Sequence, residues 1–271
     1  MDYAVKNNDI ILYQPDFALD DTLDCGQAFR WERTDSDYKC TYKGYFLDMP
    51  LTVSSDGECF IFHNVSEEQF LTVWSDYFDF QTDYGKIKKS LSADPVLRKA
   101  CEFGGGIRLL KQDSWESLCS FIISQNNNIP RIKGIISRLC EHYGGFPSAK
   151  TLAAQTPEDL GFLRAGFRAK YIADAAHKVA GGELDLDAIA GMPLEQARAG
   201  LKTINGVGPK VADCVLLFGM HRTDAFPIDV WIKRVMAEYY PDGLPEETAG
   251  IEGIAQQYLF HYIRNCENHT T

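Results

Sequence analysis

Residues 203–213 read Thr-Ile-Asn-Gly-Val-Gly-Pro-Lys-Val-Ala-Asp, and Phe226-Pro227-Ile228-Asp229 follows downstream. A G-x-G turn between two helical patterns exposes backbone N–H groups at the start of the second helix. Unsatisfied donors and the positive end of the dipole make that a place for a phosphate. Pro209 suits the first position of this helix, because the N–H it lacks has no partner there anyway. Lys210 then stands in the first turn, where the dipole disfavours a cation and any burial acts the same way. An amine so placed is suited to attack carbon. Asp229 precedes an apolar pattern from Val230 to Tyr240 and is read as its N-cap, a role worth about 1 kcal/mol by itself. Taken singly, the G-x-G turn describes any αα-hairpin and Asp229 any cap. Lys210 and Asp229 together lift the segment above that plain reading.

The elements that must hold these residues change in kind along the chain. From about residue 3 to 65, the short β-rich runs Ile10 to Tyr13, Phe29 to Glu32, Lys39 to Phe46 and Glu58 to His63 are broken by turn residues and predict an antiparallel sheet. Asp56-Gly57 predicts a type I′ hairpin, whose two central residues need positive φ. After about residue 66 the period becomes helical. Asp113 followed by Glu116 is a capping-box pattern for a buried helix running to about Ser124. Pro130 fits the first turn of the next helix, whose stripe Ile132, Ile135, Ile136, Leu139, Cys140 and Tyr143 ends at Gly144-Gly145. Thr156-Pro157-Glu158-Asp159 starts another helix, Lys170 to Ala180 carries a further stripe, and Pro193 starts a helix reaching Ile204. The fold class predicted is α+β. An N-terminal antiparallel sheet domain with a helical extension, residues 1–100, packs on an all-helical core, residues 101–271, that contains the hairpin at about 203–210.

At 271 residues, 45% hydrophobic and 24% charged, the chain has apolar material for one large domain or two smaller ones. No apolar run reaches the roughly 18 residues of a membrane span, and MDYAVKNNDI lacks the charged head and apolar stretch of a secretion signal. The chain is expected to stay where it is made, in the cytoplasm and nucleoid of a bacterium or the nucleus of a eukaryote. The N-x-[ST] triplets at Asn64 and Asn268 carry no meaning without export. Eight cysteines occur singly, with no C-x-x-C pair, which excludes the ligand spacing of a zinc ribbon or iron–sulfur cluster and predicts reduced, structural thiols. A net charge of −11 argues against an abundant non-specific nucleic-acid binder, since phosphate affinity depends on a cationic surface that releases counterions. A local basic face is still open to it, because the field at a cleft follows nearby charges more than the total. Arg131, Lys133, Arg138, Arg164, Arg168, Lys170, Lys202, Lys210, Lys233 and Arg234 lie in the middle and later parts of the chain.

The hairpin INGVGPK with FPIDV downstream resembles the helix-hairpin-helix (HhH-GPD) DNA glycosylase superfamily. CGQAFRW at 25–31, GGGIRLLKQD at 104–113, SQNNNIPRI at 124–132 and AGFRAKYI at 165–172 resemble its 8-oxoguanine DNA glycosylases, in that family's order and over most of the chain. The resemblance implies a bifunctional base-excision repair enzyme, a DNA glycosylase with AP lyase activity, acting on double-stranded DNA as a monomer. Lys210 would attack the anomeric carbon as the damaged base leaves, giving a Schiff base that permits strand cleavage by β-elimination. Asp229 would stabilise positive charge developing on the sugar and orient the amine. No metal or cofactor is required, although carbonyls near Gly206, Val207 and Gly208, the turn holding the DNA backbone, could bind a monovalent cation. Gly26 would set its backbone carbonyl against N7 of the flipped base, where 8-oxoguanine bears a hydrogen and guanine a lone pair. Cys214 and Phe260 would sandwich the ring, and Gln256 would bond its Watson–Crick edge. Without the resemblance, Cys214 and Phe260 read as core. Asn126 would fill the vacated space, Arg131 and Arg168 would donate to the orphaned cytosine, and Phe167 would wedge into the opened stack. On their own the three asparagines read as an inter-helix turn and the two arginines as surface charges.

Three positions depart from the family's usual residues: Phe167 stands for Tyr, Trp231 for His, and Pro209 for a hydroxyl residue. The first exchange loses only a hydroxyl, whereas the second removes a polar group near the catalytic helix and puts its contact to phosphate or water in doubt. Two other readings compete. A monofunctional alkylpurine DNA glycosylase of the same superfamily hydrolyses with water and generally lacks the lysine. A non-catalytic helix-hairpin-helix module grips DNA backbone, which explains the hairpin but neither Asp229 nor the arginine pair.

Overall fold

The structure, a computed structural model, describes residues 1–268; residues 269–271, which complete the triplet begun at Asn268, lie outside the described residues. Packing divides the chain into two compact units, one of residues 1–111 and 228–268 and the other Gln112–Pro227. That division places residues 228–268 with the sheet, whereas the boundary drawn at residue 100 assigns every later residue to the helical core.

The first unit holds a six-stranded antiparallel sheet: β1 (Asp2–Lys6), β2 (Asp9–Tyr13), β3 (Trp31–Arg33), β4 (Cys40–Phe46), β5 (Met49–Ser55) and β6 (Phe60–His63). The strands lie in the order β1-β2-β6-β5-β4-β3. Period-2 alternation puts Ile10 and Leu12, Tyr42, Val53 and Phe62 on one face, where Phe70, Trp74, Tyr77 and Phe78 from the following helical segment close over them. Full burial of such side chains stabilises by about 2–3 kcal/mol each. The Trp31 indole N–H donates to the Tyr77 hydroxyl at 2.7 Å, so this fully buried ring is not left with an unpaired donor.

Asp56-Gly57 does join β5 to β6, but not as a type I′ turn. Gly57 takes φ +105°, whereas Asp56 is not in the left-handed region. Asp56 instead accepts the N–H groups of Glu58 and Cys59 on its carboxylate, at 2.8 and 2.9 Å, within the loop that closes the Ser55–Phe60 pair. An Asx turn has replaced the tighter one.

Arg108, also in the first unit, is wholly buried. Its guanidinium lies 4.2 Å from the Tyr84 ring centroid and donates to the carbonyls of Phe78, Asp79, Thr82 and Asp16. Burial pushes its pKa down, yet the donors are matched by acceptors in this unit. The remaining helices of the unit include Tyr84–Leu91, Pro95–Phe103, Val230–Tyr239 and Glu252–Asn268.

The second unit is helical throughout. Asp113 caps Ser114–Ser124 through the Glu116 N–H at 2.7 Å, and Asn128 caps Ile129–Tyr143 through the Arg131 N–H at 3.0 Å. Gly144, at φ +74°, ends the latter. Thr156 to Asp159 opens only a 3₁₀ segment, Asp159–Leu163. The helix expected from Pro193 to Ile204 runs Leu194–Leu201, after which Thr203 and Ile204 bond three residues back and tighten the entry to the hairpin. Among the described residues no helix is long and apolar enough to cross a membrane.

Candidate active site and nucleic-acid interface

In the second unit, helix Leu194–Leu201 enters the hairpin and helix Pro209–Cys214 leaves it. Gly206 takes φ +77°, and a methyl group on it would sit 2.4 Å from the Tyr171 ring, so both backbone and space demand glycine. Gly208 differs. It caps the outgoing helix in an extended conformation, and nothing lies within 4 Å of the place a Cβ would occupy. The internal packing leaves that position open, as approach of an external group to the helix N–H donors requires.

A clamp that the sequence did not disclose fixes this turn. Asp174, on helix Arg168–Ala180, accepts the Asn205 backbone N–H at 2.8 Å and its side-chain amide at 2.9 Å. Lys178 pairs with Asp174 at 3.0 Å and donates to the Thr203 carbonyl. Asp174 sits off the apolar stripe of its helix, so the pattern marks it only as a polar residue.

Lys210 is half-buried in the first turn of its helix, with its ammonium nitrogen 5.5 Å from the centroid of the Phe121 ring. Cys214 is buried one turn on, so the two side chains share a face of the same helix. Cys119 is buried in the same unit, and desolvation carries its thiol well above the ordinary range.

The asparagine run is a turn in which each residue has its own duty. Asn126 is exposed at φ +47°, Asn127 donates to the Ile123 carbonyl at 3.1 Å, and Asn128 is the cap already described. Arg168 is not a surface charge. It is 3% exposed, and its guanidinium donates to the carbonyls of Gln125 at 2.8 Å, Asn126 at 2.9 Å and Ala165 at 3.1 Å, holding the turn from below. Desolvation first, then the nearby charge of Arg131, pushes its pKa down. Arg131 itself is exposed, and Phe167 is 47% exposed with the Arg168 guanidinium 4.5 Å from its ring centroid. The exposed apolar ring thus lies over a fixed cation.

The first unit carries the other expected residues. Asp229 caps Val230–Tyr239, its Oδ1 accepting the N–H groups of Trp231 at 3.0 Å and Ile232 at 2.8 Å. Trp231 is half-buried and lies against the Arg234 guanidinium, 5.2 Å from ring centroid to carbon. Gly26 takes φ +89° in a loop whose neighbours are buried. Gln256 is 4% exposed, and its Oε1 is buried with no hydrogen-bond partner among the described residues. A buried acceptor left unmatched costs about 1–3 kcal/mol, which a donor supplied at this oxygen would relieve. Phe260 is half-buried one turn further along the same helix.

Charge is also divided. Residues 112–227 hold 12 of the 27 Lys and Arg and 12 of the 38 Asp and Glu, so this unit is neutral and the rest of the chain carries the whole excess of −11.

A family model for the N-terminal domain of 8-oxoguanine DNA glycosylase matches residues 9–118, and one for HhH-GPD superfamily base excision DNA repair proteins matches residues 119–249. A probable N-glycosylase/DNA lyase of Methanothermobacter thermautotrophicus is 33% identical over 228 residues, covering 69% of this chain and 72% of the relative. The chain spans 42% and 65% of the lengths of the N-glycosylase/DNA lyases of Saccharomyces cerevisiae and Arabidopsis thaliana. The crystal structure of Clostridium acetobutylicum 8-oxoguanine glycosylase/lyase, in complex with double-stranded DNA containing cytosine opposite 8-oxoG, superposes with a TM-score of 0.89 at 40% identity, covering 98% of this chain and 100% of that one.

Proposed function

Because the chain belongs to the 8-oxoguanine DNA glycosylase family of HhH-GPD base excision repair proteins, we propose that it removes 8-oxoguanine lying opposite cytosine in double-stranded DNA and then nicks the strand. The observation that carries this reading is Lys210 in the first turn of a helix whose glycine turn is pinned from within and open to the outside at Gly208.

The turn Gly206-Val207-Gly208 receives a backbone phosphate, and the lesion is flipped out of the stack. The Lys210 amine attacks C1′ of the deoxyribose while the C1′–N9 bond breaks, and the base departs with that electron pair and takes up a proton. Asp229 stabilises the positive charge that grows on the sugar. Ring opening gives an imine between Lys210 and C1′, and loss of a C2′ proton then expels the 3′ phosphate. No step in this sequence passes through a metal or cofactor; carbonyls of the turn would offer a seat to a monovalent cation.

Recognition of the base is assigned to four residues. The Gly26 carbonyl accepts N7–H of 8-oxoguanine and repels the N7 lone pair of guanine. The unmatched Gln256 oxygen meets the N1–H and amino donors of the Watson–Crick edge, and Cys214 and Phe260 flank the ring. On the other strand Phe167 wedges into the gap, Asn126 fills it, and Arg131 and Arg168 serve the orphaned cytosine. The exposed Arg131 reaches out, and Arg168 braces the turn from which it does so. The protein works as a monomer wherever the cell keeps its DNA.

Duplexes carrying 8-oxoguanine opposite each of the four bases, with a guanine control, test this reading. Base removal opposite cytosine and nicking without alkali are expected, and the control stays intact. Strands that break only after alkali, on alkylated purines alone, would establish the water-using glycosylase instead.

A further inference from the structure

The loop around Gly26 is held by two buried glutamines for which the reaction as written has no use. Gln27, 1% exposed, donates from Nε2 to the carbonyls of Thr22 and Arg108, both at 2.8 Å, and accepts the Leu110 N–H on Oε1 at 3.0 Å. Gln257, also 1% exposed, donates from Nε2 to the Cys25 carbonyl at 3.1 Å. Between them stands Gly26 at φ +89°, the residue type with the widest torsional freedom. The peptide before it is tied by Gln257 and the residue after it by Gln27.

We propose that Gln257 is a positioning residue for lesion discrimination: by holding the Cys25 carbonyl it aims the adjoining Gly26 carbonyl and keeps that acceptor in register with Gln256. This rests on the reading that Gly26 faces N7 of the flipped base. Gln256 and Gln257 are neighbours on helix Glu252–Asn268, and successive residues project about 100° apart. One amide braces the loop while the other keeps an unmatched oxygen. The helix is itself anchored near this point, where the Tyr258 hydroxyl donates to the Ile107 carbonyl at 3.2 Å. One hydrogen bond therefore ties the loop acceptor to the helix that reads the opposite edge of the base. An apolar residue of equal size would fill the space without burying an amide, so packing alone does not call for glutamine. Oxidised and normal guanine differ at N7 by one hydrogen, and a hydrogen bond weakens steeply when its angle falls away. Discrimination is thus the property most exposed to a loosened loop.

The test compares wild type with Gln257→Met on three duplexes: 8-oxoguanine opposite cytosine, the same lesion with carbon in place of N7, and a preformed abasic site. The abasic site offers no base to read, so its cleavage by Lys210 reports folding and chemistry alone. In wild type, replacing N7 should weaken binding about tenfold, the effect of losing one hydrogen bond. In Gln257→Met that penalty should shrink to about twofold or less, with excision of 8-oxoguanine down about tenfold and abasic cleavage within about twofold of wild type. Should Gln257→Met not fold, Gln257→Asn, which keeps the amide one methylene short, carries the same comparison and should show an intermediate penalty. An undiminished N7 penalty in a variant with normal abasic cleavage overturns the proposal. Wild-type protein that shows no N7 penalty, or that leaves 8-oxoguanine untouched, overturns instead the reading on which it rests.

Discussion

Asp229 has two duties that one substitution separates. Its Oδ1 satisfies two N–H groups at the start of Val230–Tyr239, and as a carboxylate it is assigned the charge that develops on the sugar. Asparagine caps about as well as aspartate but is neutral. Asp229→Asn is therefore expected to melt within a few degrees of wild type and to excise about a hundredfold more slowly or worse, on the scale of losing one electrostatic group from an active site. Asp229→Ala should lose about 1 kcal/mol of stability as well. Melting curves beside single-turnover rates check both, and a fast Asp229→Asn enzyme would reduce the residue to a cap. Lys210, Asp229 and Gly26 were singled out as candidates by residue type, motif and family resemblance. Gln257 and Asp174 were not, since their partners are a backbone carbonyl 232 positions away and an amide 31 positions away, and nothing local announces either bond.

Among the elements, Arg168 shows how a side chain suited to a partner outside the protein is put to use within it. Its donors hold the carbonyls at Gln125, Asn126 and Ala165, so the Asn126 turn and the start of helix Arg168–Ala180 form one piece. Arg168→Met fills similar volume but leaves those carbonyls unmatched, and should cost about 2–4 kcal/mol, the range for buried acceptors stripped of a charged donor. Chemical denaturation measures it; a loss below 1 kcal/mol would mean that the turn stands without the guanidinium. Element types were readable where periodicity was clean, as in Ser114–Ser124, Ile129–Tyr143 and Arg168–Ala180. They were obscure where burial and hydrophobicity part company. Strand β1 is exposed at all but one residue and so has no alternation to find. Buried Gln256 and Gln257 interrupt the apolar stripe of Glu252–Asn268.

For the molecule as a whole, a net charge of −11 looks ill-suited to DNA until its distribution is known. The unit that carries the hairpin, Lys210, Arg131 and Arg168 is neutral, and the acidic excess lies in residues 1–111 and beyond 227. On the proposed function, attraction would depend on local cations and on the hairpin's N–H donors, while the acidic remainder would limit non-specific retention on DNA. That leaves the covalent step as the decisive question. Borohydride reduction of the intact protein mixed with an 8-oxoguanine:cytosine duplex, followed by peptide mass spectrometry, answers it. The expected result is a stable protein–DNA adduct on Lys210 that Lys210→Gln does not form although it still binds the duplex. No adduct with wild-type protein, or one that persists in Lys210→Gln, would contradict the account.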